Sequence, residues 1–120
     1  MRTWTIDEAR AALPHVRETV ERIQRLAAAA ATSSDGRASG NGQRGAEPPH
    51  AGELRQLVDE LTAEGIVLRD PARGLIDFPA RTDAGREYLI CWLAGEPDLA
   101  WWHWAEDGFA GRRPLSEPPE

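Results

Sequence analysis

GIVLRDPARGLIDFPARTDAGREYLICWLAGEPDLAWWHW, residues 65–104, decides the fold. Its apolar residues follow the two-residue period of strands, not the three-or-four spacing of a helix. GIVLRD and GLIDFPA flank Asp70-Pro71-Ala72-Arg73-Gly74, TDAG leads into REYLICWL, and AGEPD leads into LAWWHW. Gly supplies positive φ, Pro presets φ, and Asp bonds its own backbone, so these breaks carry turn chemistry. The stretch predicts four short antiparallel strands in a meander over residues 66–104.

Symmetric turns set an expected register. Arg69 falls opposite Leu75, Phe78 opposite Tyr88, and Leu93 opposite Leu99. Alternation then sorts the side chains onto two faces. One face collects Ile66, Leu68, Ile76, Phe78, Tyr88, Ile90, Trp92, Trp102 and Trp104. The other collects Val67, Arg69, Leu75, Asp77, Leu89, Cys91, Leu93, Leu99, Trp101 and His103. A sheet with helices on one side normally turns a polar face to water. Here the second face keeps large apolar residues at its edges around Arg69, Asp77 and His103. A second copy of the chain, the tail from Asp107 onward or a ligand is expected to cover it. The second copy is the favoured cover, which predicts a homodimer.

Upstream the period changes to that of a helix. Thr5 caps a helix start, with Glu8 placed to complete a capping box and Asp7 and Glu8 in the first turn. Ile6, Ala9, Leu13, Val16, Val20, Ile23 and Leu26 form an apolar stripe. Pro14 cannot donate to the Arg10 carbonyl, so a kink or break is expected there. Leu54, Leu57, Val58 and Leu61 mark a second amphipathic helix, closed by Gly65. Between the helices, residues 32–49 are rich in Gly, Ser and Pro and hold no large apolar side chain, which predicts a flexible linker. The expected whole is one α+β domain over residues 1–120. It has helix 5–31, linker 32–49, helix 50–64, the meander 66–104 and a tail 105–120. The helices pack as an antiparallel hairpin on one sheet face.

Composition excludes several functions. The chain has 20 acidic and 14 basic residues, a net charge of −6, and every basic residue is arginine. A net acidic chain is poorly suited to nucleic acid, which is bound through phosphate neutralisation, or to an anionic membrane surface. The single cysteine, Cys91, forbids an internal disulfide and any four-cysteine zinc site. MRTWTIDEARAALPHVRE lacks the apolar core of a signal peptide, so the expected location is the cytoplasm.

Leu13-Pro14, then GLIDFPA, GREYLICW, GEPDLAWWH and GFAGRRP, occur in that order. The ordered string resembles the bacterial family known as domain of unknown function 2203. The resemblance covers the first helix and the chain from about Gly65 to Leu115. It implies no activity, cofactor or residue role.

His103 is the first candidate for chemistry, being an imidazole with a near-neutral pKa and the commonest type of metal ligand. Asp77 lies near it on the second face, and Glu106 and Asp107 follow it in sequence. His103, Asp77, Glu106 and Asp107 make a mixed N/O set suited to a divalent transition metal such as zinc, manganese or iron. A histidine simply bonded to an aspartate or carbonyl within the sheet is the plainer reading, since no HExxH or paired histidines accompany it. Cys91 shares that face and reads either as a nucleophile with His103 as base or, preferably, as a small core residue. GFAGRRP reads as a tail that folds back. Phe109 fills an apolar gap and Arg112 pairs with Asp77, Glu96 or Asp107. Trp101 suits an interface. No GxGxxG follows a strand, and no Walker A or GxSxG pattern is present, so no nucleotide or organic cofactor is expected.

Two functions follow. The first is a non-enzymatic interaction protein that dimerises through the second sheet face. The second is a small metal- or ligand-binding protein centred on His103 and Asp77 with Glu106 or Asp107. The ligand or interface candidates are Arg69, Asp77, Trp101, His103 and Arg112.

Overall fold

The computed structural model describes residues 2–36 and 51–119. Helix α1 spans Ile6–Gly36 and α2 spans Ala51–Ala63. Strands follow at Val67–Asp70 (β1), Leu75–Arg81 (β2), Glu87–Leu93 (β3) and Trp101–Trp104 (β4). A 3₁₀ turn at Phe109–Gly111 then leads to β5, Arg113–Pro114. The class is α+β, with a five-stranded antiparallel sheet in the order β1-β2-β3-β4-β5.

The capping box closes both ways. The Glu8 amide donates to Thr5 Oγ1 and the Thr5 amide donates to Glu8 Oε1, each at 3.0 Å. The helix then runs without a break through Pro14, whose ring faces outward where only one backbone bond is forfeited. It also passes the expected end at residue 31. The alanine run favours helix, and no glycine or proline intervenes before Gly36. Of the expected linker 32–49, residues 32–36 are therefore helix and 37–49 lie outside the described residues. His50, the expected first residue of the second helix, lies outside them too. The two helices pack antiparallel. Arg22 pairs with Glu53, and His15, further back in α1, with Glu64, further along α2.

The apolar stripe of α1 meets the first sheet face in one core. Ala9, Val16, Val20 and Ile23 are wholly buried, against Ile76, Phe78, Ile90 and Trp92. Each large aliphatic side chain so buried stabilises the fold by about 1.5–3 kcal/mol. Leu99, placed above on the second face, belongs to this core instead. It lies in the connection before β4, where strand alternation does not apply.

The register corrects one turn. β1 and β2 pair as expected, Val67 with Asp77 and Leu68 with Ile76, before a bulge puts Asp70 opposite Leu75. β3 and β4 also pair as expected, Cys91 with Trp101. Between β2 and β3, however, Phe78 faces Ile90 rather than Tyr88. β2 continues through Pro79 to Arg81, and the turn is longer than expected, with the Arg86 amide donating to Thr82 Oγ1 at 3.1 Å. The slip is of two residues, so every side chain keeps its face. Pro79 is tolerated because its missing donor points away from β3. Its carbonyl, on the same side, accepts from the Trp4 amide at 2.7 Å.

β5 is the strand that the four-strand reading omits. It pairs Trp101 with Pro114 and Trp102 with Arg113. An edge position suits a proline, which has no amide hydrogen to give. Two residues are too few for any periodic signal, so only the tertiary pairing reveals the strand.

Candidate functional site

The second face of the sheet carries a buried polar group. Asp77 on β2 is paired directly with Cys91 on β3. His103 on β4 sits opposite Leu89, two residues from Cys91 along β3, so the same parity puts it on the same face. Asp77, Cys91 and His103 are each no more than 2% exposed. A carboxylate oxygen, the thiol sulfur and an imidazole nitrogen all lie within 4.8 Å of one another.

Each member is oriented. His103 Nδ1 is 2.9 Å from the Trp104 carbonyl oxygen. A carbonyl only accepts, so Nδ1 carries a proton and donates it, and Nε2 is turned towards Asp77 Oδ1 at 3.3 Å. Arg69 Nε donates to the other carboxylate oxygen, Oδ2, at 2.8 Å. Asp77 is thus held at one oxygen by a guanidinium and presents the other to the imidazole.

The electrostatics follow from that arrangement. Burial pushes the Asp77 carboxyl up, but hydrogen bonds from His103 and Arg69 and the charge of His103 outweigh it, and the group sits below the usual carboxylate range. The hydrogen bond to Asp77 raises His103, burial opposes it, and the Trp104 carbonyl and the Asp77 charge add to the rise. Burial, then the Asp77 charge, push the Cys91 thiol up to about 12. In the metal-free protein these shifts favour an imidazolium–carboxylate pair beside a protonated thiol. Burial and the neighbouring carboxylate thus favour the thiol over the thiolate that a nucleophile needs.

A cleft of about 350 Å³ opens onto the three. Leu75 and Phe109 wall it, Arg69 stands at its edge, and residues 105–108 form its rim. Phe109 is the one large hydrophobic side chain exposed among the described residues, at 38%. It lines the cleft instead of filling a gap.

The remaining candidates fall around this centre. Arg112 finds the expected kind of partner in Glu96, at 2.8 Å, and not in Asp77 or Asp107. Its guanidinium also reaches the Cys91 carbonyl at 3.5 Å and lies over the rings of Trp101 and Phe109, at 5.1 and 4.7 Å. Trp101 is therefore half-buried beneath Arg112. The tail accordingly covers this part of the second face. Glu106, on the rim of the cleft, accepts from Arg86 at 2.7 Å, and that hydrogen bond lowers its pKa. Arg86 in turn stacks on Trp104 at 3.6 Å. Asp107 stays exposed on the rim. Sequence reasoning placed Cys91 on the right face but weighed it only as a nucleophile or a core residue. Its pairing opposite Asp77 depends on the β2–β3 register, which the turn composition misjudged by two residues.

The chain belongs to the family described as uncharacterized conserved protein (DUF2203), whose model matches residues 2–115. No curated protein and no solved structure matches it.

Proposed function

We propose that this protein binds one divalent metal ion, zinc by preference, through Asp77, Cys91 and His103, with a fourth position open to the cleft. The carrying observation is the 3.3 Å separation of His103 Nε2 and Asp77 Oδ1. That is long for a charge-assisted hydrogen bond, which shortens to about 2.7–2.9 Å. It suits two ligands of one tetrahedral ion. Zinc bonds of about 2.0–2.2 Å to nitrogen and oxygen give an edge of about 3.3–3.5 Å.

The surroundings support the reading. Ligating histidines usually donate their other ring nitrogen to a carbonyl or carboxylate, as His103 does to Trp104. Thiolate, imidazole and carboxylate together suit zinc better than manganese or magnesium. Three protein ligands and one open position make the catalytic type of zinc site, in which a bound water is acidified to a pKa of about 7. A bound cation would deprotonate the thiol that burial alone keeps protonated.

Metal content of untagged protein, measured by inductively coupled plasma mass spectrometry, tests this. About one zinc per chain is expected, lost in Cys91→Ser and in His103→Ala. No metal after soaking in zinc, manganese and iron and removing the excess would overturn the reading.

A homodimer through the same face is a second reading. Phe109 favours it, being exposed and sharing Arg112 with half-buried Trp101. Sedimentation velocity on the wild type and on Phe109→Asp decides it. A dimer converted to monomer supports the reading, and a wild-type monomer at all concentrations ends it.

A further inference from the structure

We infer that the open position of this centre takes the carboxylate of a small monoanionic molecule, with one oxygen on the metal and the other on Arg69. The inference rests on the metal reading above. Asp77 already spans the same two cationic positions. Its Oδ1 faces His103 and its Oδ2 accepts from Arg69 Nε at 2.8 Å. A second carboxylate approaching from the cleft meets the same spacing.

Arg69 is built for this. Its Nε is committed to Asp77, which pins the guanidinium at the edge of the cleft. The side chain is 47% exposed, and its two terminal nitrogens bond no other described residue. A planar guanidinium held in that way offers the fork that carboxylates fit. The other charges near the cleft are Glu106, taken up by Arg86, Arg112, taken up by Glu96, Arg73, 5.8 Å over the Phe109 ring, and Asp107 on the rim. Asp107 offsets Arg73, and Arg112 and Glu106 are already paired, so one guanidinium, Arg69, is left for a ligand, which suits a single negative charge better than a dianion such as phosphate. Leu75 and Phe109 offer apolar wall to whatever the carboxylate carries, so an aliphatic or aromatic acid is the expected class.

Benzoate tests it on the cobalt-substituted protein. Cobalt bound through Cys91 gives a sulfur-to-metal charge-transfer band, and its visible d–d bands report the fourth ligand. Benzoate is expected to change the d–d bands in a saturable way while neutral benzamide does not. Arg69→Gln and, independently, Phe109→Asp are each expected to weaken benzoate by about tenfold or more with the charge-transfer band kept. No charge-transfer band in the wild type overturns the metal reading itself. With the charge-transfer band present, d–d bands that benzoate leaves unmoved, or that it moves equally in wild type and both variants, overturn the carboxylate inference alone.

Discussion

His103 Nε2 and Asp77 Oδ1 stand 3.3 Å apart in the interior of the sheet, each side chain no more than 3% exposed. Two strands carry them and a third, β3, lies between. The contact depends on the whole sheet rather than on either strand. Removing one member strands the other. In the metal-free protein Asp77→Ala leaves Arg69 and His103 without their shared counter-charge. It is expected to cost about 3–5 kcal/mol in urea unfolding, the range for breaking a buried pair. An effect under about 1 kcal/mol would show that the pair is solvated in solution.

The pH dependence of the metal-free protein follows from the same contact. His103 is raised above 6.5, so its contribution is full below that value and is lost as pH rises through its folded pKa. Cys91 is raised from 9.0 to about 12, and its contribution likewise declines above pH 9. Asp77 is lowered from 3.8, so its contribution is present above that value and is lost as pH falls through its folded pKa. Stability is therefore expected to peak between about pH 4 and 6.5 and to fall on the alkaline side by at most about 1.4 kcal/mol per pH unit and proton. His103→Gln should remove the first alkaline step. Zinc affinity should run the opposite way and rise with pH, because binding displaces protons from the thiol and the imidazole.

Cys91 should resist alkylation. Its thiol is 1% exposed and held at a pKa of about 12. Iodoacetamide at pH 7.5 is expected to label it only after unfolding, read by intact mass. Stoichiometric labelling of the native, metal-free protein would revive the nucleophile reading.

Gly74 is not replaceable. It ends the turn between β1 and β2 at φ 70°, and a Cβ there would lie 2.6 Å from the Ala94 Cβ and 3.0 Å from Val20 Cγ1. Ala94 and Gly74 are also joined by a backbone hydrogen bond of 3.0 Å, so neither can easily withdraw. Gly74→Ala is expected to cost about 1–3 kcal/mol, from strain alone. Gly85→Ala, with positive φ and open space around it, should cost less. Thermal denaturation of the two variants gives the comparison.

The sequence by itself determined which residues within the strands share a face, Leu99 in the connection before β4 lying outside that rule. Strand parity survives any error of two residues, so the turn after Arg81, read two residues too tight, moved no side chain from core to surface. The helical stripe from Ile6 to Leu26 and the capping box at Thr5 were equally legible, because each is a local pattern of fixed spacing. The tertiary structure alone decided which members of a face touch. Asp77, Cys91 and His103 lie far apart in sequence, and only the pairing of β2, β3 and β4 brings their ligand atoms within 4.8 Å. It also paired Glu106 with Arg86, a contact across 20 residues that no pattern of spacing reveals. Periodicity is a property of one strand, whereas a contact is set jointly by register, twist and competing charges.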